Sequence, residues 1–492
     1  MKKLISLLFI IASSITTLQA QNWNEIIKLI ASDAIAEHAF GYSVSISGDK
    51  AIVGAPIPFG DVMNNGSAYI FELVEDNWVE TQKLTASDAI AGDLFGISVS
   101  ISADKLIVGA NNNDDSGANS GSAYVFELIN GNWIEAQKLT ASDADEGDRF
   151  GTSVSISGDK AIVGAFADDD NGSASGSAYI FNLINGSWTE EQKLIASDAD
   201  AGDDFGFSVS ISGDKAIVGA YSNADNGSRT GSAYIFKLTD GNWIEVQKLT
   251  ASDAASGDEF GTSVSISGDK AIVGAWANSE NGWESGAAYI FELSESSWIE
   301  TQKLIASDGA SGDLFGGSVS ISGDKAIVGA FSSDNDIGSA YIFELQDGSW
   351  KETQKLTASD AAAEDEFGVS VCIMEDKAIV GAWGNADNGE TSGSAYIFEN
   401  ANIGVGIPEI NVASASHVTI YPNPTSGDVN LKQEGLKILS IRIYSMDGYL
   451  IYKQENLNRA MHAFNINKAA DGIYVIEIET NSKKQHLKLI KQ

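Results

Sequence analysis

The chain has 492 residues, with 30 basic and 68 acidic side chains and a formal charge of −38. Residues 22–400 hold 18 basic and 60 acidic groups, net −42, while residues 401–492 hold 10 and 8. An acidic body of this kind repels nucleic acid and anionic membrane, and a single cysteine, Cys372, excludes an intramolecular disulfide and a cysteine-built zinc site.

Lys2 and Lys3, the apolar stretch Leu4 to Ile15, and Leu18-Gln19-Ala20 predict a signal peptide over 1–20, with the mature chain starting at Gln21. No later stretch is apolar for the roughly 20 residues of a spanning helix. No cysteine follows the leader to carry a lipid. A secreted or outer-surface protein without a transmembrane segment is expected.

From Trp23 to Phe398 one unit recurs. Phe-Gly falls at 40, 95, 150, 205, 260, 315 and 367, and each unit runs Trp-x-Glu-x-x-Lys-Leu, Ala-Ser-Asp-Ala, Gly-Asp-x-Phe-Gly, Ser-Val-Ser-Ile-Ser, Gly-Asp-Lys-Ala-Ile-Val-Gly-Ala, a polar loop, and Gly-Ser-Ala-Tyr-Ile-Phe-Glu-Leu. A fixed period of this length marks a repeat architecture. Four segments per unit read as strands, for example Ser153 to Ser157, Lys160 to Ala165, Ser177 to Leu183 and Trp188 to Leu194. The first alternates, as in a sheet with two unlike faces. The second is continuously apolar, as in a strand covered on both sides.

Seven repeats of four antiparallel strands predict an all-β fold, a seven-bladed β-propeller over 21–400. An eighth Trp-x-Glu motif is missing after Phe398, whereas a lone copy, Trp23 to Leu29, precedes the first Phe-Gly. The N-terminal strand is therefore expected to complete the last blade and remove the open edges. The seven tryptophans at 23, 78, 133, 188, 243, 298 and 350 occupy one strand position, which predicts packing between blades.

The paired Phe-Gly and Val-Gly-Ala motifs resemble FG-GAP repeats, the units of the integrin alpha-chain propeller. That resemblance implies extracellular adhesion and ligand binding. The family's calcium loop, Asp-x-Asp-x-Asp-Gly-x-x-Asp, lies before the Val-Gly-Ala strand. Here that interval is only Ser157 to Lys160, too short to wrap a cation that takes six to eight oxygens, so the family's calcium sites are not carried over.

The C-terminal segment, 417–492, follows a Gly/Ala/Ser-rich linker at 401–416 and resembles the sorting domain of the type IX secretion system of Bacteroidetes. The matching residues are Tyr421, Pro422, Asn423, Pro424 and Gly427, then Asp447-Gly448, then Gly472 and Tyr474, with Lys488 in the basic ending. The resemblance implies type IX machinery as a partner and a small β-sandwich as the fold.

Antiparallel strands place the tight turns on one face of the disc and the long links on the other, and function in a repeat scaffold concentrates on the loop-rich face. The residue after Gly-Ala there is aromatic in five units, Phe166, Tyr221, Trp276, Phe331 and Trp383, with Trp283 farther along its loop. These are candidate ligand-binding residues, able to stack on sugars or clamp a peptide, and they compete with a role in capping blade packing. The aspartates of Ser-Asp-Ala and of Gly-Asp-x-Phe-Gly recur in nearly every blade and suit Asx turns and backbone caps better than ligation.

No cofactor is expected. Asp168, Asp170, Asp225 and Asp387 form the weak calcium alternative, on loops whose spacing misses the usual rhythm by one residue. Of four histidines only His38 lies in the repeats, which starves any Ser-His-Asp or His-metal centre. The expected function is a non-enzymatic, adhesion-like scaffold binding extracellular protein or glycan. A carbohydrate-binding module ranks second and a propeller glycosidase or lyase third.

Overall fold

The computed structural model describes residues 22–56, 65–401 and, in pieces, 418–491. The expected leader, nearly all of the 401–416 linker, and the motif residues Pro422, Asn423, Pro424, Gly427, Asp447 and Gly448 lie outside the described residues. The chain divides into two compact units, Met1–Ile403 and Gly404–Gln492.

Seven four-stranded antiparallel sheets make up the first unit. Blade three shows the pattern, with strands Ser153–Ser157, Lys160–Ala165, Ser177–Ile184 and Ser187–Leu194. Its last hairpin turns on Asn185-Gly186, both at positive φ, the backbone that two-residue hairpins need. The Ser-Val-Ser-Ile-Ser strands of successive blades lie side by side around the axis, and the Trp strands lie farthest out.

The alternation of the inner strand has a purpose on each side. Val154 and Ile156 are buried, while the small hydroxyls reach the next blade. Ser155 Oγ accepts the Ile211 amide at 3.2 Å, and Ser100, Ser210, Ser265 and Ser320 accept the equivalent amides of their neighbours. These bonds satisfy inner-strand N–H groups that the sheet leaves unpaired. Cys372 stands in this series, and burial pushes its thiol pKa up, which keeps it an unreactive thiol.

The core is a set of layers between blades. One joins Ile107, Val125 and Leu139 of blade two to Val154, Val163, Phe181 and Trp188 of blade three. Phe150 is fully buried there, with its ring edge on Tyr179 at 5.5 Å and on Phe181 at 6.0 Å. The two glycines of the repeat explain each other. A Cβ on Gly164 of Val-Gly-Ala would fall 1.9 Å from the carbonyl oxygen of Gly206, the Phe-Gly glycine of the next blade. Backbones meet directly at this point, so only glycine fits.

Closure follows the expected route. Asn22–Leu29 pairs antiparallel with Ser394–Ala401 as the outer strand of blade seven. Trp23 enters the layer between blades six and seven, and Leu29 that between blades seven and one. Gln354 grips the Trp23 backbone through both its amide groups at 2.7 Å, as Gln137 grips Trp188 at 2.6 and 2.8 Å.

The second unit has two sheets. Val418–Tyr421, Asp428–Gln433 and Met461–Asn465 form one, and Leu450–Gln454, Ile438–Ser445, Gly472–Thr480 and Lys484–Lys491 the other. Val429, Leu431, Ile441, Ile443, Ile476 and Ile478 form their shared core, which Tyr474 joins. Tyr421 ends its strand, Gly472 pairs with Lys491, and Lys488 pairs with Val475. Among the described residues no helix is long and apolar enough to cross a membrane.

Candidate functional site

The long links of adjacent blades are laced together by backbone bonds. Gly202, Asp204 and Phe205 of blade four donate to the carbonyls of Ser173, Ala174 and Ser175 in the loop of blade three at 2.9 to 3.1 Å. Glutamate of Trp-x-Glu adds a side-chain tie, since Ser142 donates to Glu190 through both its amide and its hydroxyl at 2.9 and 2.8 Å. The long-loop face is thus one connected surface.

Beneath it every blade repeats a charged cluster around the lysine of Trp-x-Glu-x-x-Lys-Leu. Lys83, Lys138, Lys193, Lys248, Lys303, Lys355 and Lys28 lie 2.6 to 2.8 Å from Asp33, Asp88, Asp143, Asp198, Asp253, Asp308 and Asp360. Each ammonium sits 5.3 to 5.5 Å from the ring centre of the blade's tyrosine, whose hydroxyl donates to the same aspartate, as Tyr179 does to Asp143 at 2.9 Å. Among the described residues six of the lysines reach a second acid on the long loop, including Asp170 at 2.6 Å, Asp387 at 2.5 Å, and Asp225.

The four acids of the calcium alternative therefore all face lysine. Blade three is the most acidic case, because carboxylate oxygens of Asp143, Asp168 and Asp170 lie within 4.8 Å of one another and Lys193 Nζ contacts all three, Asp168 at 2.9 Å. Burial pushes the Lys193 pKa down, but bonds to Asp143, Asp170 and Asp168 outweigh it and hold the value above the ordinary lysine range. Burial likewise pushes Asp143 up, and Lys193 and Tyr179 overcome it and hold Asp143 below its usual value.

The two aspartate series thus divide. Those of Ser-Asp-Ala bind tyrosine and lysine, rather than serving chiefly as the backbone caps the sequence suggests. Those before Phe-Gly do cap the chain, as Asp148 accepts the Asp145 amide at 2.7 Å and Asp203 the Asp200 amide at 3.0 Å. In blades two, four, five and seven an asparagine, such as Asn223, stands on the loop where blade three has Asp168, and Asn223 donates to Asp203 at 3.1 Å. Blade three sets two carboxylates together instead. Burial, opposed by the Asp145 amide and reinforced by Asp168, pushes Asp148 up to about 6 from an unfolded value of 3.8.

A pH dependence follows. A carboxyl whose folded pKa is raised binds more protons folded than unfolded between those values, so its contribution to stability falls as pH rises from about 4 to about 6, by roughly 2 kcal/mol. Groups held low, such as Asp143, act in the opposite sense and lose their contribution below about 4. Asp168→Asn is expected to flatten the stability curve between pH 4 and 6, measured by urea unfolding. A slope identical to the parent's would contradict the pairing.

The aromatic residues that follow Gly-Ala pack against rings of their own or the next blade. Phe166, Tyr221, Trp276, Phe331 and Trp383 are half-buried. Phe166 packs edge-on against Phe207 of the next blade at 5.7 Å, Phe207 contacts Tyr221 at 4.5 Å, Trp276 meets Phe331 at 6.1 Å, and Trp383 meets Tyr42 across the ring closure at 6.2 Å. The indole N–H groups of Trp276 and Trp383 donate to Glu259 and Glu366 at 2.5 Å. Trp283 differs, with 68 % of its surface exposed. His38 is buried, its Nε2 3.3 Å from the Tyr69 hydroxyl, and desolvation lowers its pKa.

Sequence reasoning passed over the lysine, the glutamine and the glutamate of the outer strand. The lysine and glutamate recur in all seven units and the glutamine in six, with Ile27 in the N-terminal copy, and that recurrence was the available signal, since an exposed strand face needs no fixed residues.

An exported propeller of Phe-Gly/Gly-Ala blades is the class these features define. The FG-GAP repeat model matches residues 23–71, 78–126, 133–181, 188–236, 243–291, 298–343 and 350–398, and the chain belongs to that family. Residues 419–492 match the secretion system C-terminal sorting domain, which assigns the protein to type IX export, to the outer surface or the extracellular space. A similarity also exists to ulvan lyase NLR42 of Nonlabens ulvanivorans, 27 % identical over 67 residues, 14 % of this chain and 12 % of that protein. The chain thus covers about an eighth of that relative's length.

Proposed function

We propose that this protein is a non-enzymatic, adhesion-like binding scaffold that meets an extracellular protein or glycan with its long-loop face. One observation carries the reading: in every blade the lysine beneath that face is paired with aspartate and tyrosine, on a surface held by inter-blade backbone bonds. Such a face offers shape, rings and hydroxyls, and its seven lysines are tied up in ion pairs rather than free to act as bases. The burial of His38 supports the same view.

The test uses the protein purified after export, applied to arrayed glycans and arrayed extracellular proteins, with released reducing ends measured in parallel. Saturable binding without release is expected. Turnover of any polysaccharide bound would overturn the non-enzymatic reading, and the absence of binding on both arrays would overturn the scaffold.

A further inference from the structure

The loop face departs from its sevenfold pattern where blade five meets blade six. At the loop position after the turn glycine, sister units carry Ala118, Ser173, Ser228 and Glu390, and blade five carries Trp283. Across the junction Ala-Ser-Asp-Ala becomes Ala-Ser-Asp-Gly, with Gly309 where six units have alanine. Two changes 26 residues apart in sequence thus come together. Beside the Trp283 loop lies a shallow cleft of about 230 Å³, lined by Asn281, Ser285 and Gly286 of that loop and by Ile305, Ala306, Ser307 and Gly309 across the junction, with the Trp283 indole standing outside this lining.

From this geometry we infer a glycan-binding subsite in which a neutral sugar ring stacks on the Trp283 indole and fills the cleft beside it. The inference rests on the scaffold reading above and narrows its ligand. The indole is exposed, yet its backbone is held on both sides, Gly312 donating to the Trp283 carbonyl at 2.8 Å and Leu314 to that of Glu284 at 3.2 Å. A ring presented on a fixed backbone loses little freedom on binding.

The cleft is smaller than the roughly 300–1,000 Å³ of pockets that enclose drug-sized ligands, and its polar lining of amide and hydroxyl groups suits a single hydroxylated ring rather than an apolar peptide anchor. Gly309 lines the cleft where sister units carry an alanine methyl. Charge excludes polyanionic chains, because the body is strongly acidic. Lys303 lies between Asp253 and Glu280 at 2.6 Å from each and Lys355 on Asp308 at 2.7 Å, while Glu284, next to Trp283, adds a further negative charge beside the cleft. What remains is a cleft with an uncharged lining beside one aromatic ring, in acidic surroundings that repel anionic ligands.

The test is a titration of the exported protein with neutral oligosaccharides selected on the glycan array, for the parent, Trp283→Ala, Gly309→Ala and Trp383→Ala. Each variant is first checked by thermal melting. Trp283→Ala is expected to weaken binding at least tenfold with an unchanged melting temperature. Gly309→Ala, which restores the sister residue, should weaken it severalfold, and Trp383→Ala should leave it intact. Glycan binding that survives Trp283→Ala but is lost in Trp383→Ala would overturn the subsite and leave the scaffold standing. So would a parent that binds only proteins, or only anionic glycans. Binding to neither array would remove the scaffold as well.

Discussion

The protein lacking Asn22–Leu29 is expected to aggregate rather than remain a folded monomer. The deletion opens blade seven, exposing the edge of Ser394–Ala401 that the N-terminal strand covers. It also empties two layers of the core, because Trp23 and Leu29 are each 2 % exposed. Loss of a buried Trp costs about 3–5 kcal/mol and of a buried Leu about 2–5, before the strand's hydrogen bonds are counted. A domain is typically stable by only about 5–15 kcal/mol. The exposed edge then becomes a template for pairing with other chains. Size-exclusion chromatography and a thermal melt measure the outcome, and a monomer melting at the parent temperature would mean the ring does not depend on this closure. Trp23→Ala is the milder companion, expected to lower stability by about 3 kcal/mol while the strand stays paired.

Lys193→Met is expected to make stability depend on calcium where the parent shows no such dependence. Lys193 lies among three carboxylates, of which the Asp168 side chain is only 4 % exposed. Met keeps the aliphatic stem over the Tyr179 ring and removes only the charge. Breaking a fully buried pair costs about 3–5 kcal/mol. Asp143 and Asp170 are 40 and 60 % exposed, so solvent reduces the figure to about 2 kcal/mol. The three carboxylates are then close enough to share a hard cation, which carboxylate oxygen suits. Free calcium at about ten times its Kd would restore about 1.4 kcal/mol. Chemical unfolding of parent and variant, each with calcium and with chelator, decides the matter. A parent destabilised by chelator, or a variant indifferent to both, would contradict the view that lysine holds the cation's place.

The C-terminal unit reads less completely from sequence than the propeller does. Its turn motifs mark a small two-sheet fold, but the sheets are built from strands far apart in the chain. Met461–Asn465 joins the sheet of Asp428–Gln433, while the intervening Ile438–Ser445 belongs to the other. Its type IX assignment rests on the family match rather than on these strands.

In the propeller, the sequence by itself determined everything that repeats locally. Alternation of Val154 and Ile156 with serines, the apolar run of Lys160 to Ala165, the Asn185-Gly186 turn and the displaced copy at Trp23 to Leu29 are all written within a few residues, and strand direction and ring closure follow from them. Only the tertiary structure decided what those strands hold between them. Lys193 meets an aspartate 50 residues away and another 23 away, so its partners depend on how blade and loop fold back on one another. Phe166 reads as an exposed ring from its polar loop, but its neighbour Phe207 comes from the next blade and half-buries it. Trp283, farther along its loop, stays open with 68 % of its surface exposed. Strand patterning is a property of neighbours in the chain, whereas burial and charge pairing are properties of neighbours in space.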